Sequence, residues 1–226
     1  PLDQATADQL NALLADPYNG AVAIAALFGV ISQEEAALRF VNAVAGQNGV
    51  LIEDESLTLI DLSALGGPVL PNIRQANAND KIGLTAAALL GNPVDPSNPA
   101  LGVWGVSAPL ADQFTLMGNE IAYIQSELAT ANAAISASVP NGWALFDLGG
   151  LYNEVVTTGV FEDDFNMTGD LVFGGFFGLD GYHPTSRGSA LIAKKMMEAI
   201  DATWGSTLSA SGLDIGDYPT NYPDGI

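Results

Sequence analysis

The sequence predicts an α/β fold, and three consecutive features of its second half carry that prediction. A long helix is expected from about residue 112 to 138, because apolar residues such as Ile121 and Leu128 recur along one helical face. Pro140-Asn141-Gly142 then marks a tight turn, and residues 143–148 form a short apolar run typical of buried parallel strands. A helix, a turn and a buried strand make the second half of a βαβ unit, so we expect a parallel sheet.

Helices are also predicted near the N-terminus. Leucines at helical spacing around position 10 predict a helix that ends before Pro17. Ser32 and Glu35 form a capping box for a second helix, and Gly46 stands where its C-terminal cap is expected. Residues 21–30 are apolar on all sides, so this segment is expected to be buried or to face a partner.

The remaining segments are less regular. Residues 49–105 combine short strand-like runs with many Pro, Asn and Gly residues, which indicates an irregular insertion with strand fragments and no independent domain. A Gly- and Phe-rich connection covers residues 151–178. The last helix is predicted from Thr185 or Arg187 to about Trp204, and residues 205–226 are expected to form an irregular tail over the surface.

Composition excludes several classes of protein. With 48% hydrophobic and 14% charged residues among 226, the chain is not intrinsically disordered. Asp and Glu total 26 against 6 Lys and Arg, a net charge of -20, which excludes binding to nucleic acid or to anionic membranes through a basic patch. The absence of cysteine excludes disulfides and thiolate nucleophiles, and with one histidine we expect no metal site or cofactor.

The only histidine lies in the segment that carries chemistry, Asp180-Gly181-Tyr182-His183-Pro184-Thr185-Ser186-Arg187-Gly188. Positions i and i+3 of a turn lie close together, so the Asp180 carboxylate is expected to reach the His183 ring. A carboxylate on Nδ1 fixes the tautomer and leaves Nε2 free to take a proton from a serine hydroxyl. Pro184 stiffens the exit from the turn, and Gly188 lets the following helix approach closely. Elsewhere, an Asp three residues before a His is more often an ordinary surface turn.

The whole segment, followed by an apolar helix, resembles the last sequence block of the SGNH (GDSL) hydrolases, in particular exported esterases and lipases of the Bacteroidetes type. That resemblance implies a flavodoxin-like three-layer α/β/α sandwich with a parallel sheet. It also implies two-step ester hydrolysis, in which Asp180 orients His183 and His183 is the base. The family nucleophile stands in a Gly-Asp-Ser block and its oxyanion hole includes a Gly N–H and an Asn side chain.

No Gly-Asp-Ser string occurs in this sequence. The nearest candidates are Ser56, in Asp54-Glu55-Ser56, and Asn119, after Gly118, but both depart from the family pattern. Because the chain begins at Pro1 instead of Met, we expect the nucleophile block to lie upstream of residue 1. This portion would then supply only Asp180 and His183, would need the N-terminal half covalently or as a separate chain, and would hydrolyse nothing alone. Residues 21–31 would pack against that missing half.

Other interpretations remain open at this level. The chain could be a non-catalytic SGNH-like binding or structural protein of the cell envelope, or a surface-layer component. Glu162-Asp163-Asp164 is expected to be a solvated acidic loop, with half a calcium site as the alternative. Trp143 and several Phe residues of 173–177 are expected in the core or in an acyl pocket. The resemblance implies an exported protein, extracellular or a lipoprotein on the outer-membrane surface, acting on small esters or acylated glycans or lipids.

Overall fold

A computed structural model describes residues 1–221 of the chain. The chain forms two compact units, Pro1–Leu128 and Ala129–Ile226. The parallel α/β/α sandwich predicted from the sequence is wrong. Every named sheet within the described residues is an antiparallel pair of strands only two or three residues long. Such short pairs bury too little surface to form a central layer, so helices and loops supply most of each core.

The first unit begins with α1 (Gln4–Leu10), which continues through a π-helical turn (Asn11–Ala15) into α2 (Asp16–Leu27). The predicted helix end before Pro17 is therefore wrong. Pro17 lies directly after the π-helical turn, and the helix continues through it. Within the apolar segment 21–30, Val22, Ala25 and Ala26 are buried, whereas Leu27 and Phe28 are exposed.

The next helix, α3 (Gln33–Arg39), begins at the predicted cap but ends earlier than expected. The Ser32 hydroxyl accepts the Glu35 N–H at 3.0 Å, which confirms the N-cap. Glu35 does not complete the capping box, because its carboxylate binds Thr58 and the fully buried Arg39 guanidinium, at 2.9 Å. The chain leaves the helix after Arg39, well before Gly46.

Short strands alternate with loops in the rest of the first unit. They are β1 (Leu51–Glu53), β2 (Ile60–Asp61), β3 (Val69–Leu70), β4 (Ile73–Gln75), β5 (Lys81–Ile82) and β6 (Thr115–Leu116). β1 pairs with β4, β2 with β3 and β5 with β6. A buried ion cluster stiffens this region, since Arg74 contacts Asp54 at 2.5 Å and Asp80 at 2.7 Å. The bidentate contact with Arg74 lowers the pKa of Asp80.

The long helix predicted from the sequence is present as α4 (Gly118–Ser138). None of its residues is buried, and its apolar stripe, including Ile124, Leu128 and Ile135, is exposed. The helix begins at Gly118 instead of about residue 112. The predicted strand after it is wrong: residues 143–147 form no strand, and Trp143 is 68% exposed.

The second unit is built on α5 (Leu148–Thr157), β7 (Val160–Glu162), β8 (Phe165–Met167) and α6 (Ser186–Trp204). Asp147, which the strand prediction included, instead caps α5 by accepting the Gly150 N–H at 2.8 Å. The core comprises Leu151, Val155, Val160, Met167, Phe176, Phe177, Ala190, Leu191 and Ile215. Ile215 shows that the tail packs into this core within the described residues, whereas residues 222–226 lie outside them.

Glu162, Asp163 and Asp164 form the tight turn of the β7–β8 hairpin. Asp163 and Asp164 have φ angles of 45° and 65°, as a two-residue hairpin turn requires. Lys194 on α6 binds Asp163 at 2.5 Å and Glu162 at 2.7 Å, while Lys195 binds Glu162 at 2.8 Å. The predicted solvated loop is thus only partly solvated, because two of its carboxylates form ion pairs that connect the hairpin to α6. No helix within residues 1–221 is both long and apolar enough to cross a membrane.

Candidate acid–base site

The loop that carries Asp180 and His183 is held at both ends by the core of the second unit. Phe177 is buried and pairs with Pro184 across the base of the loop. The Gly178 N–H donates to the His183 carbonyl at 2.7 Å, and the Thr185 N–H donates to the Phe176 carbonyl at 2.8 Å. These bonds close the loop like a short hairpin, so its tip is positioned by buried residues although it lies in solvent.

Asp180 makes three hydrogen bonds inside this loop. Its Oδ1 accepts the backbone N–H groups of Tyr182 at 2.9 Å and His183 at 3.0 Å, and its Oδ2 lies 2.7 Å from His183 Nδ1. Gly181 has a φ of 70°, which lets the chain turn tightly enough for these contacts. The contact expected from the i, i+3 spacing is therefore present, while the catalytic role of the two residues stays a prediction.

The hydrogen bond from His183 is the largest cause that lowers the pKa of Asp180, from 3.8 to about 2, and the two backbone N–H groups add to it. The carboxylate is consequently ionised at neutral pH. An ionised acceptor on Nδ1 favours the tautomer that carries its proton there, which leaves the Nε2 lone pair available.

The ring of His183 is accessible from solvent. Its side chain is 74% exposed and that of Asp180 is 54% exposed. Nε2 makes no hydrogen bond within residues 1–221. The Tyr182 ring packs edge-on against the imidazole, with centroids 5.0 Å apart. The dyad therefore presents an open base flanked by an aromatic side chain.

The start of α6 fixes the loop exit through Thr185, whose role the sequence reasoning did not assign. Its hydroxyl donates to the Gly175 carbonyl at 2.6 Å and accepts the Gly188 N–H at 3.0 Å. A Cβ at Gly188 would lie 2.5 Å from the Phe176 carbonyl oxygen, which confirms the predicted close approach. A threonine three residues before a helical glycine is an N-cap signal that could have revealed this contact.

The two weaker candidates from the sequence lie in the first unit. The Ser56 hydroxyl donates to Asp54 at 2.5 Å, and Asp54 is itself bound to Arg74, so Ser56 forms a local turn around a buried ion pair. Asn119 lies in the first turn of α4. Ser56 is exposed in this turn, but its hydroxyl is bonded to Asp54, and the exposed Asn119 belongs to a helix.

The aromatic residues predicted as core or pocket divide into two groups. Phe176 and Phe177 are buried and pack edge-to-face with Tyr152 at 5.1 and 5.7 Å. Phe173 and Trp143 are mainly exposed. The buried pair supports the loop from below, so the core interpretation is confirmed for those two residues.

Among residues 1–221, three carboxylates outside the loop form a cluster that the sequence did not predict. Ligand atoms of Glu55, Asp112 and Glu120 lie within 4.8 Å of one another. Glu55 is exposed, and Glu120 already accepts the Met117 N–H at 2.8 Å. Hard cations bind oxygen sets of this type, but acidic clusters are common on so acidic a chain, and we assign no ion to this one.

Comparison with known proteins finds no relative of this chain. No family model, no curated protein and no solved structure matches the chain. The SGNH resemblance therefore depends on the chain's own sequence within residues 112–204, and above all on residues 180–188.

Proposed function

We propose that Asp180 and His183 are the acid–base pair of a serine-dependent ester hydrolase of the SGNH type. The observation that supports this proposal is the 2.7 Å contact between Asp180 Oδ2 and His183 Nδ1, which leaves Nε2 open. The serine would come from polypeptide outside residues 1–221, either upstream of residue 1 or on a separate chain. The proposal depends on the geometry of the loop that carries Asp180 and His183 and does not require a parallel sheet.

In the first half-reaction, Nε2 of His183 takes the serine hydroxyl proton as the serine oxygen bonds to the acyl carbon of the ester. The carbonyl π electrons move onto its oxygen to give a tetrahedral intermediate. When that intermediate collapses, the C–O bond to the leaving alcohol breaks, and the imidazolium returns the proton to the alkoxide oxygen. Water then repeats the sequence on the acyl-serine, releasing the carboxylic acid and the free serine.

Asp180 would act by orientation and charge. Its low pKa keeps the carboxylate ionised throughout the cycle, so it stabilises the imidazolium without taking the proton. Replacing such an aspartate by asparagine favours the wrong imidazole tautomer and typically lowers kcat by ~10⁴. Asp180→Asn is therefore expected to leave the loop folded while removing most of the turnover.

The exposure of the pair supports a site completed by further polypeptide. Tyr182, which packs against His183, is 75% exposed, and Leu179 in the same loop is 70% exposed. Exposed apolar side chains of this kind suit coverage by another segment. A net charge of -20 disfavours highly anionic substrates, so we propose small esters or acylated glycans or lipids. An exported, cell-surface location follows from the SGNH resemblance and is part of the same proposal.

The test compares the 226-residue chain with the protein expressed from its whole gene. The 226-residue chain is expected to leave p-nitrophenyl acetate unhydrolysed, whereas the product of the whole gene is expected to hydrolyse it and to react with a fluorophosphonate probe. His183→Ala and Asp180→Asn should abolish or greatly lower the turnover. Asp164→Asn, an exposed carboxylate in a left-handed turn position that Asn tolerates, serves as the matched control.

Two results would contradict the proposal. If the 226-residue chain hydrolyses the ester and His183→Ala removes that activity, the serine lies within this chain and Ser56 becomes the candidate nucleophile. A folded whole-gene product that neither reacts with the fluorophosphonate nor hydrolyses esters would favour the non-catalytic envelope protein.

A further inference from the structure

The first unit contains a cleft of about 620 Å³ that the acid–base proposal does not use. One wall is a single helical face, formed by Leu10, Leu14 and Tyr18 at intervals of four residues. The opposite walls come from β4, where Ile73 lies, and from the loop that carries Trp104. This volume lies within the ~300–1,000 Å³ range of pockets that enclose small organic molecules.

Hydrogen bonds between distant segments hold the helical wall in place. The Asn11 side chain accepts the Ala43 N–H and donates to the Ala43 carbonyl, both at 2.8 Å. Asn19 binds Val41 in the same way, at 3.0 and 2.7 Å. The Tyr18 hydroxyl donates to the Ile73 carbonyl at 2.8 Å. The wall is thus preformed, which lowers the entropy cost of binding a ligand.

Close packing shapes the far side of the cleft. A Cβ at Gly105 would lie 2.7 Å from Leu90 and 2.9 Å from Val50, and Gly105 has a φ of 76°. Its carbonyl accepts the Leu51 N–H at 2.8 Å, which ties this loop to β1. Glycine is therefore required here for both space and backbone conformation.

The side chains of the lining are uncharged on a strongly acidic chain. At the chain's average of 14% charged residues, a set of 24 lining residues would hold about three, yet none is Asp, Glu, Lys, Arg or His. The exposed N-terminal amine of Pro1 is the one charged group among the lining residues. A charged ligand would find no counter-ion among the lining side chains and would lose its hydration on entry.

The half-buried polar side chains of the lining already have partners within the protein. Asn48 binds the N–H and carbonyl of Val44, and Gln75 binds those of Asn42. The Ser107 hydroxyl accepts the Val103 N–H at 2.9 Å. The cleft offers few groups to a polar ligand or to an extended peptide, whose own backbone needs hydrogen-bonding partners.

We propose that this cleft is a binding site for an uncharged, predominantly apolar small molecule, such as a neutral long-chain alcohol or ester. Burial of the ligand's apolar surface against Leu10, Leu14, Ile73 and Trp104 supplies the affinity. No side chain of the lining would balance the charge of the corresponding carboxylate. This binding is independent of the chemistry at His183.

The test uses Nile red, a neutral apolar dye, added to the folded 226-residue chain with the Pro1 amine acetylated, so that the lining carries no charge. The dye is expected to bind with one-to-one stoichiometry and a blue-shifted emission. Dodecan-1-ol should displace it at least tenfold more effectively than dodecanoate, because the two share a chain and differ in head-group charge. Equal displacement by both compounds, or the absence of saturable dye binding, would overturn the proposal.

Neighbouring leucines supply a matched pair of variants. Leu14 lines the cleft and is 46% exposed, whereas Leu13 is 66% exposed and does not line it. Leu14→Asp should weaken dye binding at least tenfold and Leu13→Asp should leave it unchanged. Equal effects of the two substitutions would contradict the site, provided that circular dichroism shows both proteins folded.

A second measurement locates the dye without a substitution in the lining. In a Trp143→Phe, Trp204→Phe background, Trp104 is the only tryptophan, and bound Nile red should quench its emission in proportion to occupancy. Saturable dye binding without this quenching would place the dye elsewhere and refute the proposal. The proposal would also be refuted if the chain bound no dye but formed a dimer that Leu14→Asp abolishes. The helical wall of the cleft would then be an interface with a second copy of the chain.

Discussion

Removal of the histidine ring should raise the pKa of Asp180, and the structure sets the limits of that rise. The carboxyl has a pKa of about 2 in the folded chain against an ordinary 3.8, and the His183 hydrogen bond is the largest cause. His183→Ala removes that bond but keeps the backbone N–H groups of residues 182 and 183, which still bind the carboxylate. The titration midpoint is therefore expected to lie between about 2 and 3.8.

The sign of the pH dependence follows from the lowered pKa. Stabilisation by the Asp180–His183 pair is complete above pH 3.8 and is lost as the pH falls towards 2. Carbon-detected NMR of side-chain carboxyls, titrated from pH 1 to 6, measures the midpoint in both proteins. Asp95, whose pKa is lowered by hydrogen bonds from Ser97, should titrate identically in the two and serves as the internal control. An unchanged Asp180 midpoint would show that the ring contact is absent in solution.

Three further outcomes are expected. Asp180→Asn should move the His183 imidazole away from the tautomer protonated at Nδ1, as read from its ring ¹⁵N shifts; an unchanged tautomer would mean that Asp180 does not orient the ring. Gly188→Ala should lower the free energy of unfolding by ~1–2 kcal/mol, since the clash with Phe176 outweighs the gain in helix propensity. Gly149→Ala in α5 is the control: its Cβ would have only one atom within 4 Å, so it should be neutral or stabilising. Arg74→Met leaves two buried carboxylates without their cation and should lower the free energy of unfolding, measured by chemical denaturation, by ~3–5 kcal/mol. The control Lys81→Met, at an exposed position, should lower it by less than ~0.5 kcal/mol.

Features that depend on a few consecutive residues could be predicted from the sequence. The cap at Ser32, the turn that joins Asp180 to His183, and the helix that ends at Trp204 all agree with the structure. Each is decided by contacts three or four residues apart, which the sequence states directly. The close approach at Gly188 was predictable for the same reason, because a glycine just inside a helix marks a near neighbour.

The apolar run at 143–148 shows where local information ends. Its composition suits a buried strand, but a strand needs neighbouring strands to satisfy its backbone groups, and none lies beside it within the described residues. Asp147 was free to cap α5 instead. The same limit applies to Phe173 and Phe176, which are alike in sequence but end up exposed and buried respectively.

The amino-acid order alone determined the last helix, the cap at Ser32 and the pairing of Asp180 with His183, since short-range geometry dominates each of them. Only the tertiary structure decided which apolar residues are buried and that Ser56 binds Asp54 of a buried ion pair. It also decided that segments around residues 10, 43, 73 and 104 enclose a cleft without charged side chains. These properties arise from contacts between residues tens of positions apart, whose free energy depends on the packing of the whole unit.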